Sequence, residues 1–261
     1  MNLNSDSKTD VDNMNDNGKT KSVSGILTLF ATIFIYFSSQ FFTIIIFSIY
    51  FQILGKNTKE FELITGSVLG QFSLVFCIDL FILAQLKFIL TWSKQKFIEI
   101  GWLPPKLSDL GYAITGFFVY FPIFFGFVTF IEKNVPQIDI DQTQQIGFDT
   151  ANTTGELAIV FISLVILAPI FEELLFRGYL YTNLKLSIGI LKAAIVTSII
   201  FGVAHLQLGG SAPPLWIAAI DTGILSIILI VLREKSKGLM ASIGLHMIKN
   251  SIAYVALFIV R

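Results

Sequence analysis

The chain has 261 residues, of which 54% are hydrophobic and only 14% are charged. Soluble domains carry about 25% charged residues, so this composition and a mean hydropathy of +0.75 exclude an ordinary soluble protein. Eighteen basic and eighteen acidic residues cancel, so the net charge gives no indication of nucleic acid as a partner. The single cysteine, Cys77, excludes an internal disulfide and a cysteine metal cluster.

The chain begins with a polar segment and continues as a series of apolar ones. Residues 1–22 are rich in Asn, Asp, Ser and Lys and are predicted to form a disordered cytoplasmic tail. A helix needs about 20 apolar residues to cross the roughly 30 Å hydrocarbon layer of a bilayer. Seven segments meet this length: 25–54, 63–92, 108–131, 156–181, 188–206, 215–232 and 238–260. The predicted fold class is therefore all-α, a polytopic membrane bundle of about seven transmembrane helices.

The segments fall into two groups, separated by a polar loop. Helices 1–3 are predicted within 23–132, an external polar loop at 133–155, and helices 4–7 within 156–261. With the N-terminus inside, eleven Lys and Arg residues lie in cytoplasmic segments and four in external ones, the expected bias. We therefore predict a multi-pass plasma-membrane protein with a cytoplasmic N-terminus, an external C-terminus and the lipid bilayer as its surroundings. The sequence gives no indication of the oligomeric state.

Beyond its first residue, the fourth apolar segment contains three charged residues, which are costly inside a membrane and are functional candidates by default. Glu173 and Arg177 are four residues apart and share a helix face, so they are predicted to pair. Glu172 lies about 100° round the helix without such a local partner, which suits a general base. Pro169, just upstream, is predicted to kink the helix near these acids.

Both histidines of the chain also lie in apolar segments. Phe201 and His205 are one helical turn apart in the fifth segment, and His246 and Asn250 are one turn apart in the seventh. A neutral imidazole and a carboxamide are donors able to stabilise an oxyanion. If the fifth segment crosses the membrane over 188–206, His205 lies near the outer end of this helix, whereas Glu172 lies nearer the middle of the membrane. The two residues then meet only if the fifth helix starts late, tilts or enters the membrane only partway.

Other interpretations of these polar residues remain open at this point. A Glu–Arg pair also fastens helices together, and buried carboxylates also mark the ion pathway of a transporter. Asp79 in the second segment and Asp221 in the sixth either face a cavity or lie near the ends of their helices, in contact with water. Lys249 either tunes the charge of His246 or extends along its stem toward water.

Three motifs in order resemble the CPBP family of intramembrane proteases, also called the CAAX protease, Abi or type II CAAX prenyl endopeptidase family. These motifs are Glu-Glu-x-x-x-Arg, Phe-x-x-x-His and His-x-x-x-Asn, at Glu172, Glu173, Arg177, Phe201, His205, His246 and Asn250. The resemblance covers about residues 155–255. It implies that the last four helices form a catalytic core that hydrolyses a peptide bond in a membrane-bound or membrane-proximal peptide substrate.

The resemblance also implies a role for each matched residue. Glu172 and His205 would activate the attacking water, and His246 and Asn250 would hold the tetrahedral oxyanion. Glu173, Arg177 and Phe201 would support them. Two rival functions remain: a non-catalytic immunity or scaffold protein of the same family, and a proton-coupled transporter, against which the absence of internal repeats counts.

Metal dependence is a separate question, because relatives have been labelled metalloproteases. If zinc were bound, its ligands would be Glu172, His205 and His246. The sequence contains no His-Glu-x-x-His motif, and asparagine is a poor zinc ligand. A water activated by glutamate needs no metal, so we predict a glutamic-type mechanism without a metal cofactor.

Overall fold

The computed structural model describes residues 24–142, 146–207 and 214–260, and all regular structure in these ranges is helical. The predicted tail at 1–22 lies outside the described residues. Eight helices follow one another in these ranges, and their bounds are α1 Gly25–Ile53, α2 Thr58–Gly66, α3 Val68–Trp92, α4 Leu107–Asn134, α5 Thr154–Ile188, α6 Ile190–Val203, α7 Trp216–Ser236 and α8 Met240–Ile259. The prediction of an all-helical membrane bundle is confirmed.

The seven predicted apolar segments are all helical, but they are not equally long. Six of them, α1, α3, α4, α5, α7 and α8, are long and apolar enough to cross a membrane. The fifth segment is the exception, because α6 has only 14 residues. At 1.5 Å per residue this helix is about 21 Å long, short of a full crossing. The orientation of the C-terminus depends on whether α6 crosses, and it stays a prediction.

The helix α5 contains two π-helical stretches, and the second begins at Glu173, directly after Glu172. Residues Ile162–Leu167 and Glu173–Leu180 are π-helical, and Ala168–Glu172 between them is α-helical. Pro169 lies in this middle piece and has no N–H to donate to the carbonyl four residues earlier, which favours a local departure from α geometry. Such π-turns occur frequently at functional sites.

The bundle buries small polar side chains and exposes large apolar ones. In α1 the buried residues include Thr28, Thr32, Ser39 and Thr43, whereas Phe30, Phe34, Phe37 and Phe41 point outward. This arrangement is expected in lipid, because small buried residues let helices approach closely while large apolar side chains face the acyl chains. Thr32 satisfies its hydroxyl on the Thr28 carbonyl oxygen at 2.9 Å.

The long helix α5 occupies the centre of the bundle. It contacts α1 and α3 on one side and α6, α7 and α8 on the other, while α4 packs against α7 and α8. The turn between α5 and α6 is made at Gly189, whose φ of +82° suits glycine. Because α5 is central, side chains along it meet partners from both halves of the chain.

Candidate active site

A cavity of about 160 Å³ lies between α5, α7, α8 and the end of α6. It brings together the four residues for which direct roles in catalysis were predicted, and Lys249 beside them. We call it the histidine cavity, and its polar lining consists of Glu172, His205, Thr222, His246, Lys249 and Asn250. Tyr254, Ile146 and apolar residues of α5 and α8 complete the wall. The helix α6 ends at Val203, two residues before His205, and His205 and Glu172 line the same cavity.

Glu173 and Arg177 form the ion pair that their spacing predicts. An Nη of Arg177 lies 2.8 Å from Glu173 Oε1, and both side chains are completely buried. The same carboxylate oxygen is 3.1 Å from Nδ1 of His246 on α8. Glu173 thus links α5 to α8, and it orients the imidazole of His246 toward the cavity.

This contact determines the proton arrangement on His246. The oxygen of Glu173 that pairs with Arg177 also accepts a hydrogen bond from the Nδ1–H of His246. The opposite nitrogen, Nε2, is 3.7 Å from Glu172 Oε2, too far for a hydrogen bond. One water at normal hydrogen-bond distance from both atoms fits this separation. Glu172 Oε2 is buried and has no hydrogen-bond partner within the described part of the chain.

His205 is oriented by its own helix turn. Its Nδ1 lies 2.8 Å from the carbonyl oxygen of Phe201, and a carbonyl only accepts, so Nδ1 carries the proton. In the neutral ring, Nε2 therefore has a free lone pair. A histidine in this tautomer serves as a hydrogen-bond acceptor or a base.

Phe201 packs among the charged and polar side chains of the site. The guanidinium carbon of Arg177 lies 4.0 Å from the centroid of its ring, a cation–π contact. The ring centroids of His205 and His246 are 4.7 and 6.0 Å away. Phe201 is completely buried, so it fixes the spacing of the two histidines and shields the Glu173–Arg177 pair.

Asn250 has a structural contact in addition to its place in the cavity. Its Nδ2 donates to the carbonyl oxygen of Leu164 at 2.8 Å, in the first π-helical turn of α5. One of its two amide hydrogens is therefore engaged, and the other remains for a ligand. This bond ties α8 to the irregular part of α5.

One polar cluster of the site was only partly anticipated from the sequence. Nζ of Lys249 lies 3.0 Å from Asp221 Oδ2, and the other oxygen of Asp221 accepts a hydrogen bond from Tyr120. Lys249 therefore pairs with α7 and does not extend toward water. Asp221 and Lys249 are recognisable as polar residues in apolar segments. Tyr120 carries no such signal, because its role depends on how α4 packs against α7.

The geometry of the histidine cavity does not match the zinc alternative predicted from the sequence. Within residues 24–142, 146–207 and 214–260, no three His, Cys, Asp or Glu side chains form a group able to hold a metal ion. His246 directs Nδ1 to Glu173, and Glu172 Oε2 lies 3.7 Å from its other nitrogen. The described residues therefore do not form a zinc site in this arrangement. The metal-free mechanism stays a prediction.

Comparison with known proteins supports the resemblance found in the sequence. No curated protein and no solved structure matches the chain. Residues 154–252, which include α5, α6, α7 and most of α8, match the family model described as type II CAAX prenyl endopeptidase Rce1-like. At the level of the family this supports a membrane endopeptidase and a multi-pass location in the bilayer. The match bears out the predicted resemblance, because residues 154–252 are similar to the Rce1-like type II CAAX prenyl endopeptidases.

Proposed function

We propose that the protein is an intramembrane endopeptidase that cleaves a membrane-associated protein or peptide by a glutamic-type, metal-free mechanism. Glu172 and His205 activate a water, and His246 and Asn250 stabilise the oxyanion. The observation that carries the proposal is that one cavity is lined by all four side chains, which come from three separate elements. The family match supports the reaction class.

The first chemical step is attack of water on the scissile carbonyl carbon. Glu172 Oε2 is buried without a hydrogen-bond partner in the described structure, so it is free to accept a proton from this water. Nε2 of His205 accepts the second hydrogen of the water and orients it, because Nδ1–H is bonded to Phe201. The proton on Glu172 then passes to the leaving amine nitrogen as the C–N bond breaks.

The oxyanion step places a requirement on His246. Its Nδ1–H already donates to Glu173, so Nε2 donates to an oxyanion only when the ring is a doubly protonated imidazolium. Glu172 and Glu173 flank the ring, at 3.7 Å from Nε2 and 3.1 Å from Nδ1. The second amide hydrogen of Asn250 supplies the other donor. Glu173 and Arg177 act as positioning residues.

The test is a comparison of membrane peptides from cells that produce the wild type, Glu172→Gln, His205→Ala or Glu132→Gln. Glu132 lies on α4 and is exposed, so Glu132→Gln is the matched control for loss of a carboxylate. We expect a cleavage product in the wild type and the control only, with all four proteins inserted in equal amounts. Products that persist in both site variants would overturn the proposal.

The same variants separate the two rival functions. A non-catalytic immunity or scaffold protein keeps its cellular activity in Glu172→Gln and His205→Ala. A proton-coupled transporter shows flux in proteoliposomes that depends on Glu172, and no cleavage product.

A further inference from the structure

Glu172 lies between two cavities. One is the histidine cavity, and the other, of about 260 Å³, lies on the opposite side of α5 toward α1 and α3. We call the second one the Asp79 cavity. Its polar lining consists of Tyr36, Gln40, Asp79 and Glu172, and apolar side chains such as Ile82 and Leu175 form much of its wall.

Asp79 is the unusual member of this lining. It lies near the middle of α3, it is 5% exposed, and its Oδ2 is buried without a hydrogen-bond partner in the described structure. An acidic residue at such a position is costly and is a functional candidate by default. Asp79 lies outside the matched residues 154–252, so the family comparison assigns it no role.

The two cavities differ in how their acids are neutralised. Beside the histidine cavity, Glu173 pairs with Arg177, and Asp221 pairs with Lys249. Among the described residues that line the Asp79 cavity, none is a cation, although two carboxyl groups face it. A cavity with unbalanced negative charge is complementary to a positively charged ligand.

We propose that the Asp79 cavity is a substrate subsite for a basic side chain, lysine or arginine, close to the scissile bond. This inference rests on the proposed peptidase function, and it adds the chemical class of the substrate. The basic head group pairs with Asp79, and the aliphatic stem packs against the apolar wall near Ile82 and Leu175. A cavity of about 150 Å³ already holds a benzene molecule, so the volume is sufficient.

The position of the subsite relative to the reaction follows from Glu172. The same carboxyl group contributes to both cavities, so a side chain in the Asp79 cavity lies one residue or a few residues from the bond under attack. Loss of one partner of a buried charge pair at an interface costs at least about 30-fold in affinity or in kcat/KM. Discrimination of that size between lysine and a neutral residue is therefore the expected signature.

The experiment uses the full-length protein in nanodiscs and a panel of quenched fluorescent peptides. The peptides share one apolar sequence, and lysine or norleucine occupies each position in turn. We expect the wild type to prefer lysine at one position by at least about 30-fold in kcat/KM. Asp79→Asn removes this preference and retains cleavage of the norleucine peptide, Asp79→Glu retains the preference, and Glu132→Gln behaves as the wild type.

Two results overturn the subsite. In one, the wild type shows no preference for lysine at any position, as expected if Asp79 is neutral and protonated. In the other, Asp79→Asn lowers cleavage of both peptides equally, which indicates a structural role.

A binding measurement separates this inference from the proposed function. The peptides are bound to Glu172→Gln protein, with and without the additional change Asp79→Asn, and fluorescence anisotropy is measured. Tighter binding of the lysine peptide that depends on Asp79 supports the subsite even if no turnover occurs. Equal binding of the two peptides overturns it. Cleavage by the wild type that persists in Glu172→Gln contradicts the proposed function alone.

Discussion

The buried pair of Glu173 and Arg177 gives the sharpest prediction about stability. At 2.8 Å and an effective dielectric constant of 20, two unit charges attract each other by about 6 kcal/mol. Desolvation of two completely buried ions costs several kcal/mol each and offsets this attraction. The pair as a whole therefore contributes little net stability, whereas either charge alone in the same place is strongly unfavourable.

Three variants separate these contributions: Glu173→Met, Arg177→Met and the double variant. Each single variant leaves one buried charge without its main partner and is expected to lower the free energy of unfolding by about 3–5 kcal/mol. Arg177→Met additionally loses the contact with the Phe201 ring. The double variant removes both charges. Its free energy of unfolding is expected to fall by only about 1–3 kcal/mol, because the buried Nδ1–H of His246 has lost its acceptor.

The assay is reversible unfolding in mixed micelles, together with peptide cleavage by each variant. We expect the double variant to be more stable than either single variant but to have a kcat at least about 100-fold below the wild type, because His246 has lost the group that orients it. A double variant destabilised by the sum of the two single effects would refute the reasoning on desolvation. Wild-type kcat in the double variant would refute the positioning role of Glu173.

Three further predictions concern other contacts of the site. A Cβ at Gly202 would lie 2.7 Å from the carbonyl oxygen of Ala219, so Gly202→Ala is expected to separate α6 from α7 at a cost of about 1–3 kcal/mol. Gly223→Ala, whose Cβ has no neighbour closer than 3.8 Å, is the matched control and is expected to be neutral or stabilising in thermal unfolding. Asn250→Ala is expected to lower the free energy of unfolding by about 1–3 kcal/mol, because the Leu164 carbonyl loses its donor. It is also expected to lower kcat by about 10²–10³-fold, because an oxyanion donor is lost. A loss of stability with unchanged kcat would indicate a packing role alone. Cleavage is expected to continue in excess chelator, whereas stoichiometric zinc in the purified protein would contradict the metal-free mechanism.

Much of the site was recognisable because polar residues are rare in an apolar chain. The spacing of Glu173 and Arg177 predicts a pair on one helix face, and the structure contains that pair at 2.8 Å. Contacts between helices distant in sequence were not predictable in the same way. The bond between Glu173 and His246 joins residues 73 positions apart, and it depends on how α5 packs against α8.

The length of α6 could not be predicted from amino-acid composition. The fifth segment is apolar over 188–206, and composition alone predicts a full crossing. The helix ends at Val203, and the turn that follows brings His205 into the cavity that Glu172 also lines, whereas apolar content does not report where a helix stops. The difficulty that the sequence posed, with His205 too far out to meet Glu172, disappears with the shorter helix.

The sequence by itself determined the membrane class, the helical fold and the resemblance to a protease family, because hydrophobic length and three local motifs are properties of contiguous residues. Only the tertiary structure decided which groups share a cavity and which ring nitrogens of His205 and His246 donate hydrogen bonds. It also decided that Asp79 and Glu172 line a second cavity, between α5 and the helices α1 and α3. The physical reason is that burial and hydrogen-bond partners come from the packing of distant helices. A carboxylate in an apolar segment has the same sequence context whether a cation, a histidine or a cavity lies opposite it.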